Sequence, residues 1–430
     1  MAKKQNTKQT TDQLPLVAVD MGSQSFKFAA AEQTDSSYPC TLRILAVEKS
    51  DKYSGVVHKG VIKNTTNASY RLRESLLLIG NRLGRARADE LPTAFTLYGG
   101  KSMRAVDITA KRSQGTYMPV SQKKIDEMRE ECFLKAAKLS AGMTGLDARL
   151  YSLSLDNTEY SSLPANARAT HIEARFSTFY GMDELKDKVQ GTFDRAGKSI
   201  EKAFARPEAL LEALATEEDE LAGVCIIDMG AETTTISIYK NGRYLTCRTL
   251  PFGGSTITAD IEQLGIPTDR AEKLKLKYGN AVAPTTEQDG TVRIPARNEG
   301  EKDVFVKLSF LSKIITSRLN ELMAPIFREL QRYEDEIATV YLTGGASMMQ
   351  GMVGYVQQHT KLRVAYGSHA EWLAEGTPDA LKSPEYSALI GALLLGAKYR
   401  KNNPGKTVGD TPIKKGFLER IGDLFTPPAN

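Results

Sequence analysis

One unit of sequence occurs twice, and it constrains the fold more than any other feature. Near its start the chain reads Val17-Ala18-Val19-Asp20-Met21-Gly22-Ser23-Gln24-Ser25-Phe26. Far downstream it reads Val224-Cys225-Ile226-Ile227-Asp228-Met229-Gly230-Ala231-Glu232-Thr233-Thr234-Thr235-Ile236-Ser237-Ile238. In each copy an apolar run ends in Asp-Met-Gly, passes through a short polar turn and resumes as a second strand. Thr235 to Ile238 alternate with the period of a half-buried strand, and Asn241-Gly242 marks a further hairpin. Two such turns in one chain imply an α/β protein whose two half-domains face a shared cleft.

Composition narrows the class. At 430 residues, 41% hydrophobic and 25% charged, the chain can hold several domains with real cores. A net charge of +5 is modest for this length and does not point to nucleic acid. The cysteines Cys40, Cys132, Cys225 and Cys247 form no CxxC pair, which reads as a reduced thiol set. The histidines lack metal-ligand spacing, so no zinc site is expected. No apolar stretch approaches the roughly 18–20 residues of a spanning helix. Residues 1–14 are polar and lack the apolar core of a signal peptide, so a disordered tail is expected there.

Taken in order, the pattern expects a first lobe at 15–100 and 179–216, with a helix from Asn67 to Leu83. A small α+β unit at 101–178 interrupts it: a strand Met103–Lys111, a helix from the N-cap Ser121 to about Leu139, and strands Leu150–Leu155 and His171–Phe179. A helix Met182–Phe204 returns to the parent lobe. Glu217 to Glu220 read as a solvated connection. The second lobe is expected at 217–400, with a smaller subdomain at about 255–320. Its helices are read at Ile257–Leu264, Thr268–Tyr278, Val304–Tyr333 with Pro325 as an interruption, and Glu385–Tyr399. A linker follows at 401–412 and a short helix at 413–426.

Three turns converge on one kind of ligand. The first is Gly22, Ser23, Gln24 and Ser25; the second is Gly230, Ala231, Glu232 and Thr233. Tight turns of this composition aim backbone amides outward as anion cradles. Asp20 and Asp228, at the strand ends, could hold hydrated Mg²⁺ through water. The third turn, Thr343-Gly344-Gly345-Ala346, lets backbone approach a nucleobase or ribose. No residue stands out as a general base, so no catalytic residue is assigned.

The tail has a pattern of its own. Phe417, Leu418, Ile421, Leu424 and Phe425 fall on one helical stripe, and Lys414, Lys415 and Arg420 supply a basic face. Such a helix suits the membrane interface, or it packs back on the domain or a partner.

These motifs resemble the actin-like ATPase superfamily of actin, MreB, DnaK-type chaperones and sugar kinases. The resemblance implies a two-lobed fold in which the duplicated hairpins are phosphate loops and the Gly344-Gly345 turn is an adenosine loop. It also implies that Glu272 and Lys275, in Ala271-Glu272-Lys273-Leu274-Lys275, pack around the adenosine. The implied cofactors are ATP and Mg²⁺.

Within the superfamily the chain is similar to the FtsA family. The similarity rests on Leu221 to Asp228, on Leu250-Pro251-Phe252-Gly253-Gly254-Ser255-Thr256-Ile257-Thr258-Ala259-Asp260-Ile261, on an inserted unit where that family carries its 1C subdomain, and on the linker and amphipathic end. It implies a peripheral protein on the cytoplasmic face of the bacterial membrane at the septum. The implied partners are FtsZ, further copies of itself in a filament, anionic lipids and other division proteins. One departure is Ala231-Glu232 where the family usually has glycines, which implies slow hydrolysis at most. A PilM-like assembly protein, a small-molecule kinase and a chaperone-type ATPase are the alternatives on the same fold.

Overall fold

A computed structural model describes residues 14–34, 38–51, 55–84, 91, 93–282, 290–296 and 302–403. The tail residues Lys414, Lys415, Phe417, Leu418, Arg420, Ile421, Leu424 and Phe425 lie outside the described residues, as do 1–13 and most of the 401–412 linker.

The chain begins with β1 (Leu16–Met21), β2 (Phe26–Gln33) and β3 (Leu42–Ser50), then a small hairpin of β4 (Val57–His58) and β5 (Val61–Ile62). Next come α1 (Thr65–Arg82) and β6 (Thr93–Tyr98). The interrupting unit is β7 (Arg104–Pro119), α2 (Gln122–Ala137), β8 (Met143–Leu155), β9 (Thr158–Tyr160) and β10 (Arg168–Met182). After it run α3 (Asp183–Ala196), β11 (Ser199–Ala205), α4 (Arg206–Leu214) and α5 (Glu217–Ala222). The second half opens with β12 (Val224–Met229), β13 (Thr234–Lys240), β14 (Arg243–Leu250), α6 (Gly254–Glu262) and α7 (Thr268–Tyr278). It continues with β15 (Thr291–Ile294), β16 (Val304–Lys307), α8 (Leu308–Arg332), β17 (Thr339–Thr343), α9 (Met352–Gln357), β18 (Arg363–Tyr366) and α10 (Ser387–Asn402).

The two halves repeat one design. The first sheet runs β11-β6-β1-β2-β3. Its β1–β2 hairpin pairs Asp20 with Lys27 and Met21 with Phe26, and β6 adds to β1 in parallel. The second sheet contains β18-β17-β12-β13-β14. Its β12–β13 hairpin pairs Asp228 with Thr235 and Met229 with Thr234, and β17 adds to β12 in parallel. The two acids thus occupy equivalent register positions, each one residue before the strand end.

Both central strands are covered on both faces, which is why they read as unbroken apolar runs. Val224 and Ile226 point into one core shared with α4 and α10, while Cys225 and Ile227 point into another with α6 and α8. α4 touches both β6 and β12, and α10 lies against β1, β2 and β6. These two helices join the lobes.

The interrupting unit has its own core of Ile125, Met128 and Cys132 under Leu153 and Phe176. Its sheet is not separate: β7 meets β14 at Arg104 and Arg248, so its strands extend the second sheet to β18-β17-β12-β13-β14-β7-β10-β8-β9. Ser121 caps α2 as read, accepting from the Lys124 amide.

Several element readings need correction. The expected helix Met182–Phe204 stops at Gly197, whose left-handed φ of 66° ends α3; the rest is β11, parallel to β6. β7 runs on to Pro119 rather than ending at Lys111. The first residues of the expected helix Val304–Tyr333 form β16, and Pro325 sits inside the unbroken α8. Glu217 to Glu220 are unburied, as a solvated connection requires, but they form the helix α5, started by a Thr216–Asp219 capping box.

Candidate functional site

A cleft of about 560 Å³ lies between the two hairpin turns, within the size range of small-molecule sites. It brings together residues far apart in the chain. Asp20, Gly22, Ser23, Gln24 and Ser25 line one wall; Asp228, Gly230, Ala231 and Thr233 line the other. Gly344, Gly345 and Ala346 close one end, and Glu272 and Lys275 lie beside them. Of the residues expected to meet a nucleotide, Glu232 alone is outside the lining.

The two turns are built alike. The Gly22 amide donates to Ser25 O at 3.1 Å, and the Gly230 amide donates to Thr233 O at 2.8 Å. No acceptor among the described residues takes the amides of Ser23, Gln24, Ala231 or Glu232. Unsatisfied amides in a glycine turn suit anionic oxygen. The β4–β5 hairpin tip spans both turns: the Gly60 amide donates to Ser23 Oγ (3.2 Å) and the Lys59 amide to Glu232 Oε2 (2.6 Å). His58 Nδ1 stands 3.2 Å from the same carboxylate oxygen. Glu232 therefore turns across to the opposite lobe instead of facing a bound anion.

Glycines set the close approaches on the second lobe. Gly344 has φ of 85°, and a Cβ there would stand 2.5 Å from Asp228 Oδ1 and 2.6 Å from Met229 O. Gly345 is open; the nearest atom to its Cβ position is Glu385 Cβ at 4.0 Å. The start of α6 is pinned to the second turn, with the Gly254 amide on Gly230 O (3.0 Å) and the Ser255 amide on Ala231 O (2.7 Å). A Cβ at Gly253 would be 2.3 Å from Gly230 O. That contact explains the Gly253-Gly254 pair.

Lys275 is buried, and its ammonium donates to Gly254 O (3.0 Å), Thr258 Oγ1 (2.8 Å) and Glu272 Oε2 (2.7 Å). All its donors are taken by protein, so it ties α7 to α6. Burial pulls its pKa below the ordinary lysine value, against the opposing pull of Glu272.

Charged groups not anticipated from the sequence fill the cleft floor. Arg206, the first residue of α4, donates from Nε to Asp228 Oδ2 and from Nη1 to Asp20 Oδ1, both at 2.6 Å. Burial alone would lower this guanidinium, but Asp20 and Asp228 outweigh it and raise it above its ordinary value. Glu385 accepts from Lys49 at 2.8 Å and lies 3.8 Å from Lys27, tying the lobes again. One signal was available for Arg206: Arg206-Pro207 places a helix start directly after a strand, at the sheet edge where α/β sites form.

The turns, the open side of Gly345 and the cleft volume fit a nucleotide. A hydrated magnesium ion is a poorer fit. It keeps several waters in near-octahedral geometry, whereas Asp20 and Asp228 are already closed on the Arg206 guanidinium. Among the described residues Asp228 Oδ1 has no hydrogen-bond partner, and it is packed against Gly344, so it leaves no room for a water shell.

Comparison with known proteins agrees with this architecture. A family profile described as "Cell division protein FtsA" matches residues 225–391, and one described as "Type IV pilus assembly protein PilM" matches 149–283. FtsA of Neisseria meningitidis serogroup B is 29% identical over 302 residues, covering 69% of this chain and 72% of that protein. FtsA of Helicobacter pylori is 24% identical over 466 residues, covering 96% and 92%. Among solved structures, the PilM-PilN type IV pilus biogenesis complex gives a TM-score of 0.63 at 17% identity, covering 89% of this chain and 98% of that one. MreB5 of Spiroplasma citri bound to ADP gives 0.52 at 11%, covering 92% and 100%. These two share the fold. The chain is thus similar in sequence to the cell division protein FtsA and shares its fold with PilM and MreB5.

Proposed function

We propose that this chain binds ATP in the cleft and acts in cell division. In this reading it polymerises on the cytoplasmic face of the bacterial membrane and anchors FtsZ filaments there during septum formation. The observation that carries the reading is the convergence of three turns, at Gly22, Gly230 and Gly344, on one cleft between duplicated half-domains. Two hairpin turns present unsatisfied amides to phosphate, and the Gly344-Gly345 turn offers its open side to the adenosine.

Attachment is assigned to the tail. Its stripe of Phe417, Leu418, Ile421, Leu424 and Phe425 would enter the interface, and Lys414, Lys415 and Arg420 would meet anionic lipid at about 1 kcal/mol each. One such helix binds weakly; a filament presents many at once, and avidity makes the attachment firm. Hydrolysis has a minor place in this reading, because no side chain among the described residues stands out as a general base.

The test is electron microscopy of the full chain with ATP on anionic lipid monolayers, with and without FtsZ. Lipid-bound filaments that recruit FtsZ are expected. Deleting residues 413–430 should abolish sedimentation with anionic liposomes; undiminished pelleting would remove the membrane assignment.

The likeness to the PilM-PilN complex, and the PilM profile over residues 149–283, favour a second reading as a pilus-assembly protein. A chain that ignores both lipid and FtsZ in these assays would support it.

A further inference from the structure

We infer that the cleft carries its own cation, the Arg206 guanidinium, and holds a nucleoside polyphosphate without a divalent metal. This rests on the nucleotide reading of the cleft and deepens it.

The geometry is specific. Asp20 and Asp228 end equivalent strands of the two lobes, and each gives one carboxylate oxygen to Arg206 at 2.6 Å. A guanidinium presents a fixed fork of five N–H donors and cannot be deprotonated in a protein. Two donors are spent on the acids, one to each lobe. Among the described residues none accepts from Nη2, which leaves it for a phosphate oxygen, a partner that guanidinium groups fit well. Arg206 keeps 20% of its side chain exposed and lines the cleft.

The surroundings are shaped to keep it there. Gly99 lies under the aliphatic stem; a Cβ at Gly99 would meet Arg206 Cδ at 3.3 Å. Pro207 follows it directly in the first turn of α4, so the backbone that carries the side chain is stiff.

Charge balance points the same way. Lys27 faces Asp20 across the β1–β2 register and is nearly buried, with 11% of its side chain exposed. Arg206 and Lys27 together offset the charges of Asp20 and Asp228. A divalent ion placed between those acids would have to displace the guanidinium and leave it buried without a carboxylate, a costly exchange. A polyphosphate instead meets the remaining N–H donors of a guanidinium already held in position by both acids.

The experiment is titration of a fluorescent ATP analogue into the wild-type chain and Arg206→Gln, each with magnesium and with EDTA, and with melting curves for both proteins. The wild type should bind with a Kd that differs less than about twofold between the two conditions. Arg206→Gln, which frees both acids, should become magnesium-dependent, with binding about tenfold weaker in EDTA, or about 1.4 kcal/mol. If Arg206→Gln does not fold, the wild-type comparison decides alone. Wild-type binding that collapses in EDTA overturns the inference and leaves the nucleotide reading standing. An Arg206→Gln variant that folds and still binds equally well in both conditions also overturns it. Absence of saturable binding in either condition overturns the nucleotide reading itself.

Discussion

Glu232 and Lys59 join the two lobes across the mouth of the cleft, with the Lys59 amide donating to Glu232 Oε2 at 2.6 Å. The next amide in the chain, Gly60, reaches Ser23 Oγ on the other turn at 3.2 Å. One hairpin tip therefore holds both glycine turns at once. The tip can do so because Lys59 and Gly60 both take positive φ, 52° and 75°, the pairing a two-residue hairpin of this type requires.

This relationship sets the sign of the first prediction. A carboxylate beside a polyphosphate should weaken binding, but Glu232 spends its charge on the opposite lobe. Glu232→Ala should therefore loosen the closed cleft and speed nucleotide release by roughly tenfold, as expected for a hydrogen bond to a charged group. Stopped-flow displacement of a fluorescent nucleotide measures it. Slower release in the variant would mean that repulsion, not closure, is the main effect of Glu232.

A second prediction concerns Gly344. Its φ of 85° costs a side-chain-bearing residue about 1–2 kcal/mol, and its Cβ would collide with Asp228 Oδ1 and Met229 O. Gly344→Ala should lower folding stability by at least that amount and abolish ATP retention. Gly345→Ala, at an open position 4.0 Å from its nearest neighbour, should leave stability unchanged within about 0.5 kcal/mol. Urea denaturation of the two variants side by side checks the contrast; equal losses would contradict the assigned backbone geometry.

Much of this was legible in the sequence because it is local. Asp-Met-Gly at the end of an apolar run specifies strand and turn within a few residues, and a second copy specifies that two such turns exist. The Thr343-Gly344-Gly345 turn is local in the same way. Arg206 was not legible as a site residue because its meaning depends on two carboxylates on different lobes. Glu232, expected among the residues of the second turn that meet phosphate, turns away for a related reason: its direction is decided by Lys59 and His58, which belong to another hairpin. The helix expected over Met182–Phe204 failed at Gly197, because strand β11 is fixed by pairing with the distant β6 and not by its own periodicity.

The joint between the lobes gives a third prediction. α10 crosses α4 so closely that a Cβ on Gly391 would lie 1.8 Å from Ala209 O, a backbone atom that cannot move aside cheaply. Ala is normally a better helix former than Gly by about 1 kcal/mol, so propensity alone would make Gly391→Ala stabilising. Overpacking should win, and the variant should lose about 1–3 kcal/mol. Thermal or urea unfolding reads the sign directly; a gain in stability would show that the helices are free to separate there.

Lys275 allows a prediction with a pH signature. Its ammonium is buried at 7% exposure and donates to Gly254 O, Thr258 Oγ1 and Glu272 Oε2. Lys275→Met keeps the stem but leaves Glu272, Gly254 O and Thr258 Oγ1 without their donor, at a cost of roughly 1–3 kcal/mol because Glu272 itself is partly exposed. Burial lowers the folded pKa of Lys275 below its ordinary 10.5, so between those two values the unfolded chain binds the proton more tightly than the folded one. The Lys275 contribution to stability therefore rises as pH climbs from the depressed value to 10.5 and falls as pH drops back. Urea denaturation of wild type and Lys275→Met at neutral pH and again near 10.5 isolates this group, because other titrations are common to both proteins. The gap between the two proteins should widen at the higher pH. A gap that narrows would mean that the bond to Glu272 outweighs burial and holds the ammonium above its ordinary value.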